Sequence, residues 1–501
     1  MRRVLHAPEN LPLHGLAASR AWEAEALARS APQALMQRAG LAVAKLALAL
    51  KPDARRIALL CGPGNNGGDA LVAAQALAEA GKRAALWLCP GAGTAPPDAA
   101  WALRQTLDGG LAPQATLPDA LQADLVIDGL LGLGANRAPE GWIADAIRLI
   151  NAQPAPVLAI DLPSGLDGQH GRAGLAVHAD HTLSLLTLKP GLFTAQGRAL
   201  AGEIWWDALE QPCPAPPDAW LQGPQALADW RSLSGARGHA SHKGRWGDVL
   251  VVGGQPGMRG AAWLAARAAL AAGAGRVYAC LLQGPAGDNP PQDRPELMSW
   301  PEALLQQPEH WARHTVVAGC GGGQAIAAAL PSLLAHAHRL VLDADALNAL
   351  AADAALRRLL QARQTQGCPT LLTPHPLEAA RLLGGDSGSV QADRLGAARA
   401  LARELGCTVL LKGSGTVIAS PGLTPAINAS GNAALATAGT GDVLAGWLGG
   451  LWAQYGGDGP VAPHRLGCAG AYWHGRAAEP AQGGSLRAAD LIERMHALHA
   501  A

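Results

Sequence analysis

The first half of the chain contains a glycine-rich segment that could bind a phosphate. Residues 61–69, CGPGNNGGD, join a predicted strand to a predicted helix. Glycines let backbone N–H groups approach an anion, and the N-terminus of a helix favours negative charge. Asp69 would repel a bare phosphate, so it either caps the helix or binds hydroxyl groups or a cation beside the phosphate. The segment matches neither the G-x-G-x-x-G nor the Walker pattern.

Two further loops place polar side chains where predicted strands end. The loop VIDGLLGLG contains Asp128, and the loop AIDLPSGLDG contains Asp161 and Ser164. In an open α/β sheet such strand ends converge on one crevice, so these groups can meet Asn66. The oxygens of Asn66, Asp128 and Ser164 suit a monovalent cation better than a divalent one, and Asp161 could act as a general acid or base. Alternatively, each of these carboxylates could only cap a turn at a strand end. Because several of them occur together beside a glycine-rich loop, a binding site is favoured.

In the second half, the motif AGTGD ends at Asp442 and opens a predicted helix. Backbone N–H groups at that helix start could form an anion hole for a transferring phosphoryl group. The carboxylate of Asp442 could then take the proton of an acceptor hydroxyl. An ordinary N-terminal cap is the alternative role for Asp442.

Three other glycine-rich segments follow the middle of the chain: HKGRWG with Lys243, GCGGG with Cys320, and KGSGT beginning at Lys412. The last lies at a predicted β-turn-β junction, where its amides and hydroxyls can line a phosphate or a ribose. Lysine occurs six times in the chain, so Arg is the usual cation. A lysine in such a loop is either a compact donor at a phosphate or a chance placement.

These segments need a scaffold of alternating strands and helices. Strands alternating with helices at this spacing predict parallel sheets covered on both faces. The predicted strands are residues 55–61, 84–89, 125–128, 157–161, 248–252, 276–282, 315–318, 340–343, 370–373 and 408–411, and the predicted helices are 21–50, 70–80, 99–107, 143–151, 260–272 and 443–455. The proline cluster QPCPAPP interrupts the pattern. We therefore expect two tandem α/β domains, 1–212 and 230–501, with a linker region at 213–229.

Composition excludes several classes of protein. With 39 Lys+Arg, 39 Asp+Glu and a charged fraction of 16%, the chain has no overall charge that would attract nucleic acid or an anionic membrane. Eight cysteines are spread singly, as in proteins of a reducing compartment. The N-terminus does not read as a secretory leader, and the apolar run 41–50 is too short for a membrane span. We expect a cytoplasmic enzyme without nucleic-acid or membrane partners. The oligomeric state, including a homo-oligomer, stays open.

The motifs GPGNNGGD, IDGLLGLG and IDLPSGLDG, followed by Lys189-Pro190-Gly191, resemble the NAD(P)H-hydrate epimerase domain over residues 10–210. The resemblance implies a Rossmann-like three-layer sandwich, with K⁺ on Asn66, Asp128 and Ser164 and with Asp161 in catalysis. It also implies dinucleotide contacts from two loops: Asn65, Asn66, Gly67, Gly68 and Asp69, then Gly132, Leu133, Gly134, Ala135, Asn136, Arg137 and Ala138. The second loop departs from the usual G-T-G-L-x-R-P pattern, because it lacks the hydroxyl.

The second half resembles the ribokinase-like superfamily, and within it the ADP-dependent NAD(P)H-hydrate dehydratase, over residues 230–495. The motifs HKGxxG, DADALN, TPHPLE, KGSGT and GTGD occur in that family's order. The resemblance implies a three-layer α/β domain with Mg²⁺ and ADP as co-substrate. Its implied substrate contacts are Ala261, Gly323, His375 and Asp442, and its implied ADP contacts are Lys412, Gly413, Ser414, Gly415, Thr416 and Gly441. Cys320 stands where the family more often has Pro.

Together the two resemblances imply repair of hydrated NADH and NADPH. The first domain would interconvert the R and S hydrates, and the second would dehydrate the S hydrate at the expense of ADP, which yields AMP and phosphate. Asp442 would be the base of the second reaction, and Lys243 is a candidate positive group near the phosphates. The alternative is a ribokinase-like kinase for a vitamin-type alcohol, such as a thiazole or pyrimidine, fused to a non-catalytic nucleotide-binding module.

Overall fold

The computed structural model describes residues 1–91, 95–134, 137–234, 238–283, 294–455 and 461–500. The chain forms two compact units, one of Met1–Ala7 with Leu11–Trp220 and the other of Pro8–Asn10 with Leu221–Ala501. The change from the first unit to the second after Trp220 lies inside the predicted linker region. Each unit contains its own sheet and helices.

The first unit alternates strands and helices along most of its length. Its strands are β1 (Arg2–Arg3), β2 (Leu11–Leu13), β3 (Arg56–Cys61), β4 (Arg83–Leu88), β5 (Leu125–Gly129), β6 (Val157–Ile160), β7 (His181–Leu185) and β8 (Glu203–Asp207), and β9 (Ala219–Leu221) lies at the boundary. Its helices are α1 (Leu16–Arg29), α2 (Ala34–Leu50), α3 (Asn65–Glu79), α4 (Pro97–Asp108), α5 (Gly141–Asn151) and the short α6 (Gly197–Leu200).

The sheet of the first unit has the order β1-β8-β7-β6-β5-β3-β4. All neighbours are parallel except the edge strand β1. Ile57 and Leu59 of β3 belong to one apolar core with α2 and α3. Ala58 and Leu60 belong to a second core with α5. Because successive side chains of a strand point to opposite faces, the sheet is the middle of three layers, which confirms the predicted sandwich.

The second unit repeats this alternation. Its strands are β10 (Asp248–Gly253), β11 (Arg276–Leu281), β12 (Met298–Ser299), β13 (Thr315–Ala318), β14 (Arg339–Leu342), β15 (Thr370–Leu372), β16 (Thr408–Leu411), β17 (Thr416–Ala419) and β18 (Ala426–Asn428). Its helices are α7 (Gln225–Ser234), α8 (Arg259–Ala271), α9 (Ile326–His336), α10 (Asp345–Ala352), α11 (Ala354–Thr365), α12 (Pro376–Leu383), α13 (Ser387–Ala392), α14 (Arg394–Leu405), α15 (Thr440–Ala453), α16 (Ala462–Ala478) and α17 (Ala488–Ala500).

These strands lie in the order β12-β11-β10-β13-β14-β15-β16-β17-β18, parallel up to β16 and antiparallel after it. Val249 and Val251 of β10 pack into a core with α8 and α15 to α17. On the opposite face, the buried guanidinium of Arg363 in α11 donates to the Thr370 hydroxyl and to the Leu334 carbonyl of α9. This unit is therefore also three-layered, as predicted.

The elements differ from the sequence prediction at three places. Helix α3 begins at Asn65, five residues before the predicted start. Its first turn packs against the preceding loop, where a Cβ at Gly67 would lie 2.0 Å from the Gly62 carbonyl oxygen. Only glycine lets this helix start so close to the preceding loop. The predicted helical segment 21–50 is two helices, broken before Ala34 where Gln33 adopts a φ of 62°. Strands β7 and β8 were not predicted.

Within the described residues, every helix is too short or too polar to cross a membrane.

Candidate active sites

The first site lies where the strand order of the first unit reverses. The chain leaves β3 toward β4 on one side and continues through β5 to β8 on the other. Ligands bind at such switch points, beyond the carboxyl ends of the strands. A cavity of about 740 Å³ opens there, lined by residues that follow β3, β5, β6 and β7.

Most of the predicted dinucleotide contacts line this cavity. They are Asn65, Asn66, Asp69, Gly132, Leu133, Gly134, Arg137 and Ala138, and the predicted catalytic residue Asp161 lines the cavity as well. Gly67 and Gly68 are buried against neighbouring residues instead, while Ala135 and Asn136 lie outside the described residues. The structure thus brings the three predicted loops together around one cavity.

Asp161 is held in a buried ion pair with Lys189. Its Oδ1 accepts a hydrogen bond from Lys189 Nζ and another, at 3.2 Å, from the Leu185 amide. The ammonium also donates to the Leu185 carbonyl at 2.8 Å. Asp161 follows β6 with a φ of 65°, a left-handed conformation that aspartate tolerates better than most residues. The arrangement fixes a carboxylate and an ammonium together at the cavity wall.

Three further carboxylates, those of Glu23, Asp69 and Asp98, line the same cavity. Burial raises the pKa of Asp69 well above its usual range, and the charges of Asp161 and Glu23 add to this effect. Burial and Asp161 also raise the pKa of Glu23. Asp69 does not cap α3, because the N-cap residue is Gly64 and no side chain caps the helix. The cavity therefore presents acidic side chains, which suit the hydroxyl groups of a ligand better than its phosphates.

Beneath the cavity, Asp128 and Ser164 form a buried polar cluster. The Ser164 hydroxyl donates to Asp128 Oδ1 at 2.6 Å, and the amides of Ser164 and Leu130 donate to the same carboxylate. Asn66 donates to the Leu131 carbonyl at 3.1 Å, beside which the Ser164 hydroxyl also lies, at 3.3 Å. Burial raises the pKa of Asp128 to about 6. The carboxylate is thus bound by neutral donors within a shell of oxygen atoms.

The second site lies at the corresponding reversal between β10 and β13. A cavity of about 760 Å³ is lined there by Gln255, Gly323, Asp345 and Asn348. Asp345 accepts a hydrogen bond from the Gly323 amide at 2.8 Å. The predicted contact Gly323 therefore lines a cavity, while Ala261 lies in the first turn of α8, close to the same loop at Gly321.

Asp442 lies in the first turn of α15, after Gly439 with a φ of 90°. It does not cap the helix, so the capping role is excluded and the carboxylate remains available. Its oxygen, an oxygen of Asp343 and the sulfur of Cys320 all lie within 4.8 Å of one another. Burial, with the nearby charge of Asp343, raises the pKa of Asp442 to about 6.

Within this group, Asp343 forms an ion pair with Lys412. Lys412 Nζ donates to Asp343 Oδ1 at 2.6 Å, and a Cβ at Gly441 would lie 3.3 Å from the same ammonium. Glycine at 441 thus leaves room for the charge beside the N-terminus of α15. Lys412 lies next to the predicted anion hole, whereas Lys243 is exposed in the segment before β10, at the amino end of that strand.

The turn from Lys412 to Thr416 is fastened by Arg394. This buried guanidinium donates to the carbonyls of Leu411, Lys412 and Gly415, and the Thr416 hydroxyl closes the turn on Gly413. Ser414 is exposed at its tip. Burial lowers the pKa of Arg394 to about 10. The predicted ADP-binding turn is thus held rigid from behind, by a residue that the sequence motifs did not indicate.

His375 caps α12. Its Nδ1 accepts from the amides of Leu377 and Glu378, and Glu378 in turn accepts from the His375 amide at 2.8 Å. Because Nδ1 is an acceptor, the proton of the neutral ring is on Nε2, which lies 3.2 Å from Glu378 Oε1. Burial raises the pKa of Glu378 to about 7. His375, a predicted substrate contact, therefore serves as the N-terminal cap of α12 in the structure.

Sequence reasoning did not assign roles to Lys189, Asp343, Arg394 and Glu23. Lys189 and Asp343 lie inside motifs that the sequence analysis identified, and the rarity of lysine in the chain could have indicated a role for Lys189. Arg394 and Glu23 carried no local signal, since their partners are distant in the sequence. Each of the two sites nevertheless contains one lysine paired with one aspartate at the end of a buried strand.

Comparison with known proteins agrees with this division. The family described as NAD(P)H-hydrate dehydratase matches residues 249–495, and the family described as YjeF-related protein N-terminus matches residues 32–191. The chain is 37% identical to the bifunctional NAD(P)H-hydrate repair enzyme of Leishmania major, over 92% of this chain and 88% of that protein.

It is also 36% identical to the bifunctional NAD(P)H-hydrate repair enzyme Nnr of Escherichia coli, over 89% of this chain and 84% of that protein. The ADP-dependent (S)-NAD(P)H-hydrate dehydratase of Neisseria meningitidis is 45% identical over 49% of this chain and 80% of its own length. Both halves of the chain are therefore covered by relatives of a single kind, and the chain belongs to the family of bifunctional NAD(P)H-hydrate repair enzymes.

Proposed function

We propose that this chain repairs hydrated NADH and NADPH in two steps, one in each unit. The first unit exchanges the R and S hydrates, and the second dehydrates the S hydrate with ADP and releases AMP and phosphate. The observation that carries the proposal is the group at the N-terminus of α15, where Asp442, Lys412 and the backbone amides lie together. A metabolite-repair role in the cytoplasm agrees with eight free cysteines.

In the dehydratase unit, Asp442 takes the proton of the hydroxyl on ring carbon 6. The oxygen of that hydroxyl forms a bond to the β-phosphorus of ADP, and the bond from that phosphorus to the bridging oxygen breaks, so AMP leaves. Amides at the start of α15, with the ammonium of Lys412, stabilise the charge on the transferring group. Phosphate then leaves carbon 6, the neighbouring ring carbon loses a proton, and the double bond of the reduced nicotinamide is restored.

We propose that Mg²⁺ reaches this site on the phosphates of ADP. Cys320, Asp343 and Asp442 form the one cluster of potential metal ligands found in the described ranges. A thiol is too soft a ligand for Mg²⁺, and Asp343 already pairs with Lys412. Mg²⁺ is commonly bound by substrate phosphates with one or two carboxylates. When bound, the ion would neutralise phosphate charge.

In the epimerase unit, Asp161 gives and takes the proton that accompanies exchange of configuration at carbon 6. The exchange requires one bond at that carbon to break and to form again on the other face. Lys189 keeps Asp161 in place through their buried ion pair. Acidic groups around the cavity bind the ribose hydroxyls, and the amides at the start of α3 bind phosphate.

We propose that K⁺ binds at the Asp128 cluster. A buried carboxylate with neutral hydrogen-bond partners, and the oxygens of Ser164, Asn66 and the Leu131 carbonyl, fit a large monovalent cation. Burial raises the pKa of Asp128 to about 6, and such an ion would balance the negative charge of the buried carboxylate. Asn66, Asp128 and Ser164 would hold it and fix the loops that line the cavity.

The test of the proposed function is recovery of NADH from its hydrates by the whole chain, followed through the near-ultraviolet absorbance of reduced nicotinamide. With ADP, we expect complete recovery from a mixture of R and S hydrates, with AMP and phosphate formed in equal amounts. ATP is compared side by side. Absence of ADP-dependent recovery, together with phosphorylation of a thiazole or pyrimidine alcohol, would establish the alternative kinase.

We expect epimerisation to proceed severalfold faster in KCl than in tetramethylammonium chloride of equal ionic strength. K⁺ should also raise the thermal unfolding temperature, because a ligand of the folded state stabilises it. Asp128→Asn should remove both effects, and Ser164→Ala should weaken them. The matched control is Asp145→Asn, which removes an exposed carboxylate of α5 paired with Arg148. Equal rates and unfolding temperatures in the two salts would contradict the K⁺ site.

A further inference from the structure

Arg394 lies at the start of α14, against the turn that joins β16 to β17. The Asp393 side chain caps this helix by accepting the Gly396 amide at 2.8 Å, which fixes the backbone from which Arg394 extends. The guanidinium is buried, and it donates to Gln391 Oε1 of α13 at 2.9 Å. The direction of this side chain is therefore set by two helices.

The guanidinium binds backbone carbonyls on both sides of the turn. Its Nη2 donates to the Leu411 and Lys412 carbonyls at 3.2 and 3.1 Å, and to the Gly415 carbonyl, beyond the turn, at 3.3 Å. Gly413 has a φ of 130°, and a Cβ there would lie 3.0 Å from both terminal nitrogens of Arg394. The turn thus wraps closely around the guanidinium, and this position requires glycine.

The direction of these carbonyls determines where the neighbouring amides point. In a trans peptide the C=O and the N–H of one unit point in opposite directions. Because the Lys412 carbonyl faces Arg394, the Gly413 amide faces away from it, toward the outer side of the turn. A peptide turned the other way would present a carbonyl oxygen on that side, and its partial negative charge would repel a phosphate.

We propose that Arg394 is a positioning residue for ADP, which holds the carbonyls of the turn inward so that the Gly413 amide faces the nucleotide. This inference rests on the proposed function, because it assumes that the turn from Lys412 to Thr416 contacts ADP. Arginine suits the task, since its planar fork of five N–H donors reaches several acceptors at once. Without it, ADP itself would have to order the turn, and that cost would reduce its affinity.

The effect of Arg394 should fall on ADP affinity and not on the chemical step. The side chain of Lys412 has a separate anchor, because its Nζ donates to Asp343 Oδ1 at 2.6 Å. Asp442 belongs to α15, which is a different element from the turn. The reacting groups therefore keep their places when the turn loosens.

The experiment compares Arg394→Met with Arg363→Met in the whole chain. Arg363 is a matched control, because it is equally buried in the same unit, donates to a backbone carbonyl, and has its pKa lowered by burial to about 10, as Arg394 does. Its partner Thr370 begins β15, at the opposite edge of the sheet from the turn. The measurements are kcat, the KM values for ADP and S hydrate, and thermal unfolding with and without ADP.

We expect Arg394→Met to raise the KM for ADP about ten- to a hundredfold, because binding must then order the turn. The kcat with saturating ADP and the KM for S hydrate should stay close to wild type, and ADP should raise the unfolding temperature less than in wild type. Arg363→Met should lower the unfolding temperature but leave the KM for ADP unchanged. Arg394→Lys, which retains a charge but not the fork, replaces the methionine variant if that variant does not fold, and should raise the same KM.

A wild-type KM for ADP in the Arg394 variant would overturn the inference. A loss of kcat with an unchanged KM for ADP would overturn it too, as would an equal rise of that KM in Arg363→Met, which would indicate a general loosening of the unit. In each of these cases the wild-type chain still recovers NADH with ADP. If it does not, the proposed function itself fails.

Discussion

Asp442→Asn should reduce the dehydration of the S hydrate by about a hundred- to ten-thousand-fold, the range for loss of a general base. Asparagine preserves the size of the side chain at the start of α15 but cannot accept the hydroxyl proton. Binding of ADP should change little, because its contacts lie on the amides and on the Lys412 turn. The measurement is kcat and KM from single-turnover and steady-state assays with the S hydrate.

The profile of the wild-type chain provides a second check on this prediction. Since the pKa of Asp442 is raised to about 6, the base is ionised above that pH and protonated below it. The dehydration rate should therefore fall as the pH decreases through about 6. The matched control is Asp490→Asn, which removes an exposed carboxylate paired with Arg487 and should leave the rate unchanged. Near-normal dehydration by Asp442→Asn would exclude this residue as the base.

Asp161→Asn should abolish catalysed epimerisation and destabilise the first unit together. Asparagine adopts positive φ as readily as aspartate, so the backbone is preserved while the proton-transfer group is lost. The substitution also leaves the ammonium of Lys189 buried without its partner, which typically costs about 3–5 kcal/mol. Exchange between R and S hydrates, followed by proton NMR, and thermal unfolding of the whole chain are the two measurements.

The double variant Asp161→Asn/Lys189→Met separates the two effects. Methionine removes the stranded charge and keeps the volume of the side chain, so stability should recover while epimerisation stays absent. Dehydration of pure S hydrate by the second unit should persist in both variants and serves as the control for folding. If the single variant epimerises at the wild-type rate, Asp161 has no part in proton transfer.

The sequence predicted most strands of the two sheets and the loops that line the sites, because these depend on local patterns. Apolar strands ending in glycine-rich loops identify the carboxyl edge of a parallel sheet, and the predicted loops after β3, β5, β6, β13 and β16 lie at that edge, whereas the segment HKGRWG precedes β10. The early start of α3 was missed for the opposite reason. Gly67 and Gly68 weaken a helix in isolation, and only the contact of Gly67 with the carbonyl of Gly62 shows why the helix begins there.

The pairing of side chains could not be read from the sequence. Lys189 follows Asp161 by 28 positions, and Lys412 follows Asp343 by 69, so no spacing rule connects them. Arg394 reaches three carbonyls around the turn that begins at Lys412. Such contacts form only when strands that are distant in the chain become neighbours. The motifs therefore indicated which loops meet, while the structure determines which charges neutralise each other.

The conformation of Ala344, between Asp343 and Asp345, has a consequence for how this protein could change over evolutionary time. Its φ of 50° and ψ of −116° cost an alanine of the order of 1–3 kcal/mol, a strain that glycine would not have. Ala344→Gly would therefore stabilise the folded unit but loosen the two carboxylates on either side of it. Selection for heat resistance and selection for turnover act in opposite directions at this position, so its residue should differ between thermophilic and mesophilic lineages.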